Sequence, residues 1–252
     1  MSDLDVQCVV PVSGGRDSQA SLELALDHFP RGAVRGFFCD TKWEHTKTYH
    51  HVEWMRAYYG VEIDVARFGA VLDLCLKYGR FPGGGARFCT DELKIRPTKI
   101  YLRWVAQLQG HGFEVWYGMR TAESNERARR YQGKVDSELY APHEVMPSKY
   151  PKYLERMGVL FRLPIIDWSN ADVMAQLNGR ENPLYETRGR VGCNPCLAGG
   201  DASKEQAFHE DDEGRQQLIA TDRVAQVINK PIWTSKGGIR RNGAPGCMVC
   251  SI

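Results

Sequence analysis

No stretch of 18 apolar residues occurs in this chain, so nothing in it reads as a membrane span. The first residues, MSDLDVQCVV, have no basic stretch followed by an apolar core. No secretory signal is therefore expected, and the cytoplasm is the default compartment. Net charge is scarce too: 33 Lys and Arg against 31 Asp and Glu leave +2, which neither demands nor excludes nucleic acid. Two common phosphate-binding patterns are missing, G-x-x-x-x-G-K-[ST] and G-x-G-x-x-G. There is no internal repeat, which argues against a solenoid.

What is present is an ordinary globular composition, 42% hydrophobic and 25% charged over 252 residues, enough for one large domain or one domain with an appendage. Eight cysteines in a cytoplasmic chain point to metal ligands or redox groups before a disulfide framework. Cys8, Cys39 and Cys75 sit among apolar residues and read as core. His50 and His51 are adjacent on a probable helix, face different ways and make no ligand pair.

Strand and helix patterns alternate. Val6 to Val12 is a short apolar run ended by glycines, and Ser18 to Phe29 reads as a helix. AVRGFFCD, VEIDVAR, EVWYGM and FRLPIIDW supply four more strands, with helices over Thr46 to Tyr59 and Pro97 to Leu108. Ser169, with Asp172 three residues on, caps a further helix. The expectation is an α/β fold with a doubly wound, mostly parallel five-stranded sheet and a Cys-rich C-terminal appendage. Its boundaries are set at a nucleotide-binding domain over 1–180, with a polar surface insertion or lid near 125–158, and a Cys-rich region over 181–252.

Ligands bind such sheets at the carboxyl ends of the strands. Ser13 to Ser18, Asp40, and Gly118 to Glu123 all fall at such ends. In VVPVSGGRDSQASL, Gly14 and Gly15 allow a tight turn with N–H groups against an anion, and the following helix adds its positive end. Ser13 and Ser18 carry hydroxyls to donate, and Arg16 points at phosphate or at solvent. Asp17 repels phosphate unless a divalent cation lies between, which suggests Mg²⁺.

This hexapeptide between first strand and first helix resembles the PP-loop, S-G-G-x-D-S, of the N-type ATP pyrophosphatases, an adenine nucleotide alpha hydrolase-like superfamily. FFCDTKWEHTKTY resembles a segment of its phosphoadenylyl-sulfate (PAPS) reductase branch through Asp40, Thr41, Glu44, His45 and Thr48. Lys42 and Lys47 depart where glycine and glutamate are usual. RFCTDELKIRP matches through Cys89, Thr90, Leu93, Lys94 and Pro97, and GMRTAESNERA through Gly118, Arg120, Glu123, Ser124 and Arg127. The resemblance implies that the loop grips the β,γ-pyrophosphate of ATP and leaves the α-phosphorus open to attack. It implies catalytic roles for Asp17, Lys94 and Arg120. Ser13, Gly14, Gly15, Arg16, Asp17, Ser18, Asp40, Thr41, Glu44, His45, Gly118, Arg120, Glu123 and Arg127 then form the nucleotide site. Arg120 and Arg127 suit phosphate or sulfate oxygens, with Glu123 orienting an arginine and Lys94 acting as a point charge on the same group.

RVGCNPC and PGCMVC place Cys193 with Cys196 and Cys247 with Cys250, each pair spaced to share one metal. Zinc and a [4Fe–4S] cluster both suit that spacing. The branch resemblance favours the cluster on Cys89, Cys193, Cys196 and one of Cys247 or Cys250. The alternative is Zn²⁺ on Cys193, Cys196, Cys247 and Cys250.

Sulfonucleotide reductases of the branch end in E-C-G-L-H, which this chain lacks. Its PP-loop and cysteines are similar to those of the ATP pyrophosphatases of DNA phosphorothioation, which activate a backbone phosphate by adenylylation. The leading expectation is such an enzyme, using ATP and Mg²⁺, with DNA as acceptor and a sulfur donor such as a cysteine desulfurase as partner. Arg120, Arg127, Arg129 and Arg130 form its cationic surface, extended by Lys134, Lys149 and Lys152. The alternatives are an adenylyl-sulfate or PAPS reductase, and a nucleotide-binding module without turnover.

Overall fold

The computed structural model describes residues 5–83 and 87–233. Five parallel strands form one sheet: β1 (Cys8–Val12), β2 (Val34–Asp40), β3 (Ile63–Arg67), β4 (Glu114–Trp116) and β5 (Leu160–Arg162). Their order is β3-β2-β1-β4-β5, and every pair is parallel. β1 is central and wholly buried, which is why it reads as a continuous apolar run. Successive side chains point to opposite faces. Val9 thus joins Phe37, Val115 and Phe161 in one core, while Cys8, Val10 and Val12 join Phe38 and Trp116 in the other.

The order in which successive strands are added reverses between β1 and β4, with every strand still parallel. The crevice at that switch point lies between the loops that follow these two strands. Helix α1 (Arg16–His28) leaves β1 directly, and α2 (Thr46–Tyr59) and α3 (Val71–Tyr78) follow β2 and β3. The helix expected from Pro97 is longer: a turn at Phe88–Thr90 and a π-helical Asp91–Ile95 run into Arg96–Gln109. The strand expected over FRLPIIDW ends at Arg162, two residues before Pro164, which cannot donate to a ladder. The expected Ser169 cap is present: Ser169 Oγ accepts from the Asp172 N–H at 3.2 Å and the Ser169 N–H donates to Asp172 Oδ2 at 2.7 Å.

The 125–158 segment is mostly exposed or half-buried but is anchored in the core by Tyr131, Tyr140, Val145, Met146, Tyr150 and Leu154. Its polarity in sequence comes from the residues between these anchors. The region after 181, expected as Cys-rich, is largely helical among the described residues. It forms the helices Asp201–His209 and Asp212–Ile228, whose Phe208 and Val224 pack with Trp43, Val71, Leu74 and Phe88 in a third core.

Helices α1 and α2 are tied by a buried polar pair, His51 Nε2 donating to Gln19 Oε1 at 2.8 Å. Burial pushes the His51 imidazole down from 6.5 to about 4. The unfolded chain therefore binds more protons between these values, and stability falls as pH drops through them. Its slope from this one group reaches at most ~1.4 kcal/mol per pH unit and vanishes above the unfolded value. Urea unfolding across this range should show a loss that His51→Gln reduces. An unchanged pH slope in the variant contradicts the assignment.

Candidate active site at the carboxyl end of the sheet

The loop from Ser13 to Ser18 is built by its own hydroxyls. Ser18 Oγ accepts from the Ser13 N–H at 3.0 Å and donates to the Gly15 carbonyl at 2.9 Å, and Ser13 Oγ lies 3.1 Å from it. Ser18, expected to donate to a ligand, is thus a buried brace of the loop. Gly14 has a φ of +74°, and a Cβ there would lie 2.5 Å from the Thr48 methyl. Gly118, after β4, packs directly on the loop: a Cβ would lie 2.5 Å from the Asp17 carbonyl oxygen and 2.9 Å from the Ser18 nitrogen. Both segments need glycine for this reason, and their contact closes the switch point.

The same two segments share an ion pair. Arg120 donates from Nε to Asp17 Oδ1 at 3.0 Å and from NH2 to Oδ2 at 3.3 Å. Arg120 also donates to Asn170 Oδ1 at 3.0 Å and to the Trp168 carbonyl at 3.4 Å. Glu123 pairs with Arg127. Asp17, Arg120, Glu123, Arg127, Asn170, Tyr185 and Arg190 line an open cleft of about 240 Å³. Asp17 was expected to hold Mg²⁺, but its direct partner is Arg120. Both carboxylates of the cleft are paired with arginine, so these residues build no metal cage. Arg16 lines the same cleft, with its guanidinium 5.0 Å from the centre of the Tyr185 ring and 3.1 Å from Asn170 Oδ1.

The segment after β2 has a different task. Asp40 accepts from the Lys42 N–H and the Tyr49 hydroxyl, each at 2.8 Å, and from Arg67 Nε at 2.9 Å. Its first contact holds Lys42 in the left-handed region at φ +53°, which explains why glycine is usual there. Glu44 accepts from the Thr41 hydroxyl at 2.7 Å and from the Thr41 and Trp43 N–H groups. Burial pushes the Glu44 carboxyl up, opposed by the Lys94 charge and these hydrogen bonds. His45 was expected to approach the nucleotide. Instead it caps α2, its Nδ1 accepting from the Lys47 N–H at 3.0 Å, and its Nε2 lies 2.8 Å from Asp211 Oδ2. Asp40, Glu44 and His45 therefore spend their polar atoms on protein partners.

The cysteines form a second centre. Cys89, Cys193 and Cys196 line one cavity with Thr41, Arg87 and Lys94. The Cys193–Cys196 loop is docked on the segment after β2: the Asn194 N–H donates to the Trp43 carbonyl at 2.7 Å and Trp43 Nε1 to the Pro195 carbonyl at 2.9 Å. Lys94 was expected beside Arg120, on the same anionic group. It lines the thiol cavity, whereas Arg120 lines the cleft. Burial pushes the Cys39 and Cys75 thiols up to about 12 and also raises Cys8.

Three thiols on one wall suit a thiolate-bound cluster in donor type. Among the described residues, however, no three His, Cys, Asp or Glu side chains are gathered as a metal-ligand group. Cys247 and Cys250 lie outside the described residues.

Sequence reasoning missed three residues. Tyr185 accepts from the Arg16 N–H at 3.2 Å, over the start of α1. Asn170 joins Arg16 and Arg120. Asn182, fully buried, donates to the Gly14 carbonyl at 3.1 Å. The Asn-Pro at 182–183 signals a turn, but nothing local points to the loop more than 160 residues earlier.

Residues 7–198 match the phosphoadenosine phosphosulfate reductase domain. The chain is 27% identical over 273 residues to an uncharacterized 37.8 kDa protein in the gpa 5'region of Escherichia phage 186, covering 88% of this chain and 76% of that protein. It is similar to the phosphate complex of PAPS reductase from Candida auris, at 14% identity and a TM-score of 0.48 over 74% of this chain and 81% of that one. It is also similar to U34-tRNA thiolase NcsA from Methanococcus maripaludis, described with its [4Fe-4S] cluster, at 15% identity and a TM-score of 0.48 over 98% and 80%.

The Gly118 contact is directly testable. Gly118→Ala forces a methyl against loop backbone that cannot swing away. It should cost about 1–3 kcal/mol of stability and weaken ATP binding about tenfold or more. Thermal melts and nucleotide titration check both, and wild-type affinity in the variant contradicts the role given to this contact.

Proposed function

Since the chain belongs to the phosphoadenosine phosphosulfate reductase domain family, we propose that it is an ATP pyrophosphatase that adenylylates an acceptor for sulfur transfer, the acceptor being a DNA backbone phosphate. The observation that carries this reading is the Ser13–Ser18 loop closed on Gly118 at the switch point, with the start of α1 behind it. Backbone amides and the helix N-terminus suit the β,γ-pyrophosphate. The α-phosphorus then faces the cleft of Arg120, Arg127 and Arg190. An acceptor oxygen attacks it in line, the bond to the pyrophosphate bridging oxygen breaks, and pyrophosphate leaves with the electron pair. Sulfur at the sulfide level, released from the donor's persulfide by an external thiol, then attacks the acceptor phosphorus; the bond to the AMP-bearing oxygen breaks and AMP leaves with the electron pair. Asp17 holds Arg120 in place for this chemistry.

Exposed Arg129 and Arg130, on the helix Asn125–Arg130 beside the cleft, support the DNA acceptor. Arg130 shares its charge with Glu126 at 3.4 Å, and Lys149 is paired with Asp91, so Arg129 is the stronger phosphate contact. A second reading, a sulfonucleotide reductase releasing sulfite, is favoured by the three thiols lining a cavity with Lys94.

Purified protein with ATP, Mg²⁺ and duplex DNA should release pyrophosphate, and AMP as well once a sulfur donor and a thiol are added. Ser13→Ala and Asp17→Ala should each lower turnover by about ten- to a hundredfold, the cost of ~1.5–3 kcal/mol for a charged or loop-organising contact. Reversing Arg129 and Arg130 to Glu should weaken DNA binding at unchanged ATP affinity. The wild-type salt dependence should be about 0.9 log units for each phosphate neutralised. Thiol-dependent sulfite release from adenylyl sulfate or PAPS, with no salt-sensitive DNA binding, decides for the reductase.

For the cofactor we assign Cys89, Cys193, Cys196 and one of Cys247 or Cys250 to a [4Fe–4S] cluster, whose role in this reading is to order the thiol cavity. Anaerobically purified protein should then contain iron and acid-labile sulfide, lost in Cys89→Ser as well as in Cys193→Ser. One zinc per chain, retained in Cys89→Ser, identifies the Zn²⁺ alternative on Cys193, Cys196, Cys247 and Cys250.

A further inference from the structure

The helix Arg96–Gln109 buries Thr98, Leu102, Val105 and Ala106 against the sheet. Its opposite face is unusual. Ile100, Trp104 and Leu108, spaced four apart, are 47%, 51% and 51% exposed. Residues at this spacing lie in one row along a helix. Arg96 heads the row, and Lys99 and Arg103 form the row beside it. The helix contains no Asp or Glu. Among the described residues neither Lys99 nor Arg103 makes an ion pair, whereas the acids at its borders are engaged: Glu92 with Lys77, Asp91 with Lys149, and Asp64 with Arg35 and Tyr101.

Large apolar side chains in a straight row are the ridge that packs into the groove of another helix. Leaving Trp, Ile and Leu in water forgoes the hydrophobic gain of covering them. The cations beside them decide the sign of what covers them. A second copy in a two-fold pairing sets the same patch against itself, bringing Lys99 and Arg103 of one copy against those of the other. A nucleic acid answers the cations but leaves Ile100 and Leu108 without an apolar partner.

The geometry points to a docking face for an acidic amphipathic helix of a protein partner, its apolar stripe on Ile100, Trp104 and Leu108 and its carboxylates on Lys99 and Arg103. The face has a functional address as well. The helix continues without a break from Phe88–Ile95, the segment that carries Cys89 and Lys94 on the wall of the thiol cavity. A partner seated here is held on the same element as those thiols. This inference does not depend on the reaction proposed above.

The test uses the full-length protein and a labelled synthetic helical peptide with leucines every four residues and flanking glutamates. A control peptide carries lysines in place of the glutamates. Fluorescence anisotropy should show the acidic peptide binding at least about tenfold more tightly than the basic one. Trp104→Ala and Arg103→Glu should each weaken it about tenfold or more, with circular dichroism unchanged because both side chains are exposed. Equal binding of the two peptides, or no effect of either variant, overturns the proposal. So does a concentration-dependent dimer in sedimentation that Trp104→Ala abolishes, which makes the occupant a second copy. Duplex DNA binding lost in Arg103→Glu, without acidic-peptide binding by the wild type, also overturns it.

Discussion

The buried ion pair between Asp17 and Arg120 joins the loop after β1 to the loop after β4, and the candidate site depends on it. Both side chains are largely removed from water, at 13% and 3% exposure. Such a pair gives little net stability, because desolvation offsets the attraction, but losing one partner leaves an uncompensated charge. Its importance is positional. Two parallel hydrogen bonds fix the guanidinium in one plane, and Gly118 lets the backbones touch behind it. The segment at 168–170 adds two more acceptors to the same guanidinium. Three stretches distant in sequence thereby define one wall of the cleft.

A second constraint keeps the arginine-lined cleft apart from the thiol cavity. The arginines of the cleft and the cysteines of the cavity stand apart, and the stretch from Tyr185 to Cys196 borders both. At one end of it Tyr185 lies over the start of α1, and at the other the Cys193–Cys196 loop is pinned by Trp43. Asp40, Glu44 and His45 are the supports of this arrangement. Their polar atoms hold a left-handed lysine, a buried threonine, a helix start and the C-terminal helices. Acidic and imidazole groups near the candidate site thus serve its geometry through hydrogen bonding inside the protein, where a satisfied network is rigid and an unsatisfied atom is costly.

Much of this molecule was legible in its sequence. Apolar runs broken by glycine or proline marked all five strands, and alternation with helical stretches implied the parallel sheet. Ser169 and Asp172 announced their capping box. The glycine loop was readable because only glycine tolerates both the positive φ at Gly14 and the backbone approach at Gly118. The C-terminal helices were not, because their apolar positions are sparse, and neither was α3, an eight-residue, mostly apolar stretch too short for its period to mark a helix. They are stabilised by one another, through Cys75, Phe208 and Val224, rather than by a strong pattern of their own.

The sequence by itself determined the order of elements, the sheet class and the segments that arrive at the carboxyl ends, since these follow from local periodicity and turn chemistry. Only the tertiary structure decided which charges meet. Asp17 takes Arg120, Lys94 goes to the thiols, His45 goes to Asp211, and Tyr185 comes to Arg16. Each of these outcomes sets residues dozens to more than 160 positions apart in competition for one another. A carboxylate or a ring nitrogen has the same chemistry in every arrangement. Its partner is chosen by the burial and distance that the packed chain imposes.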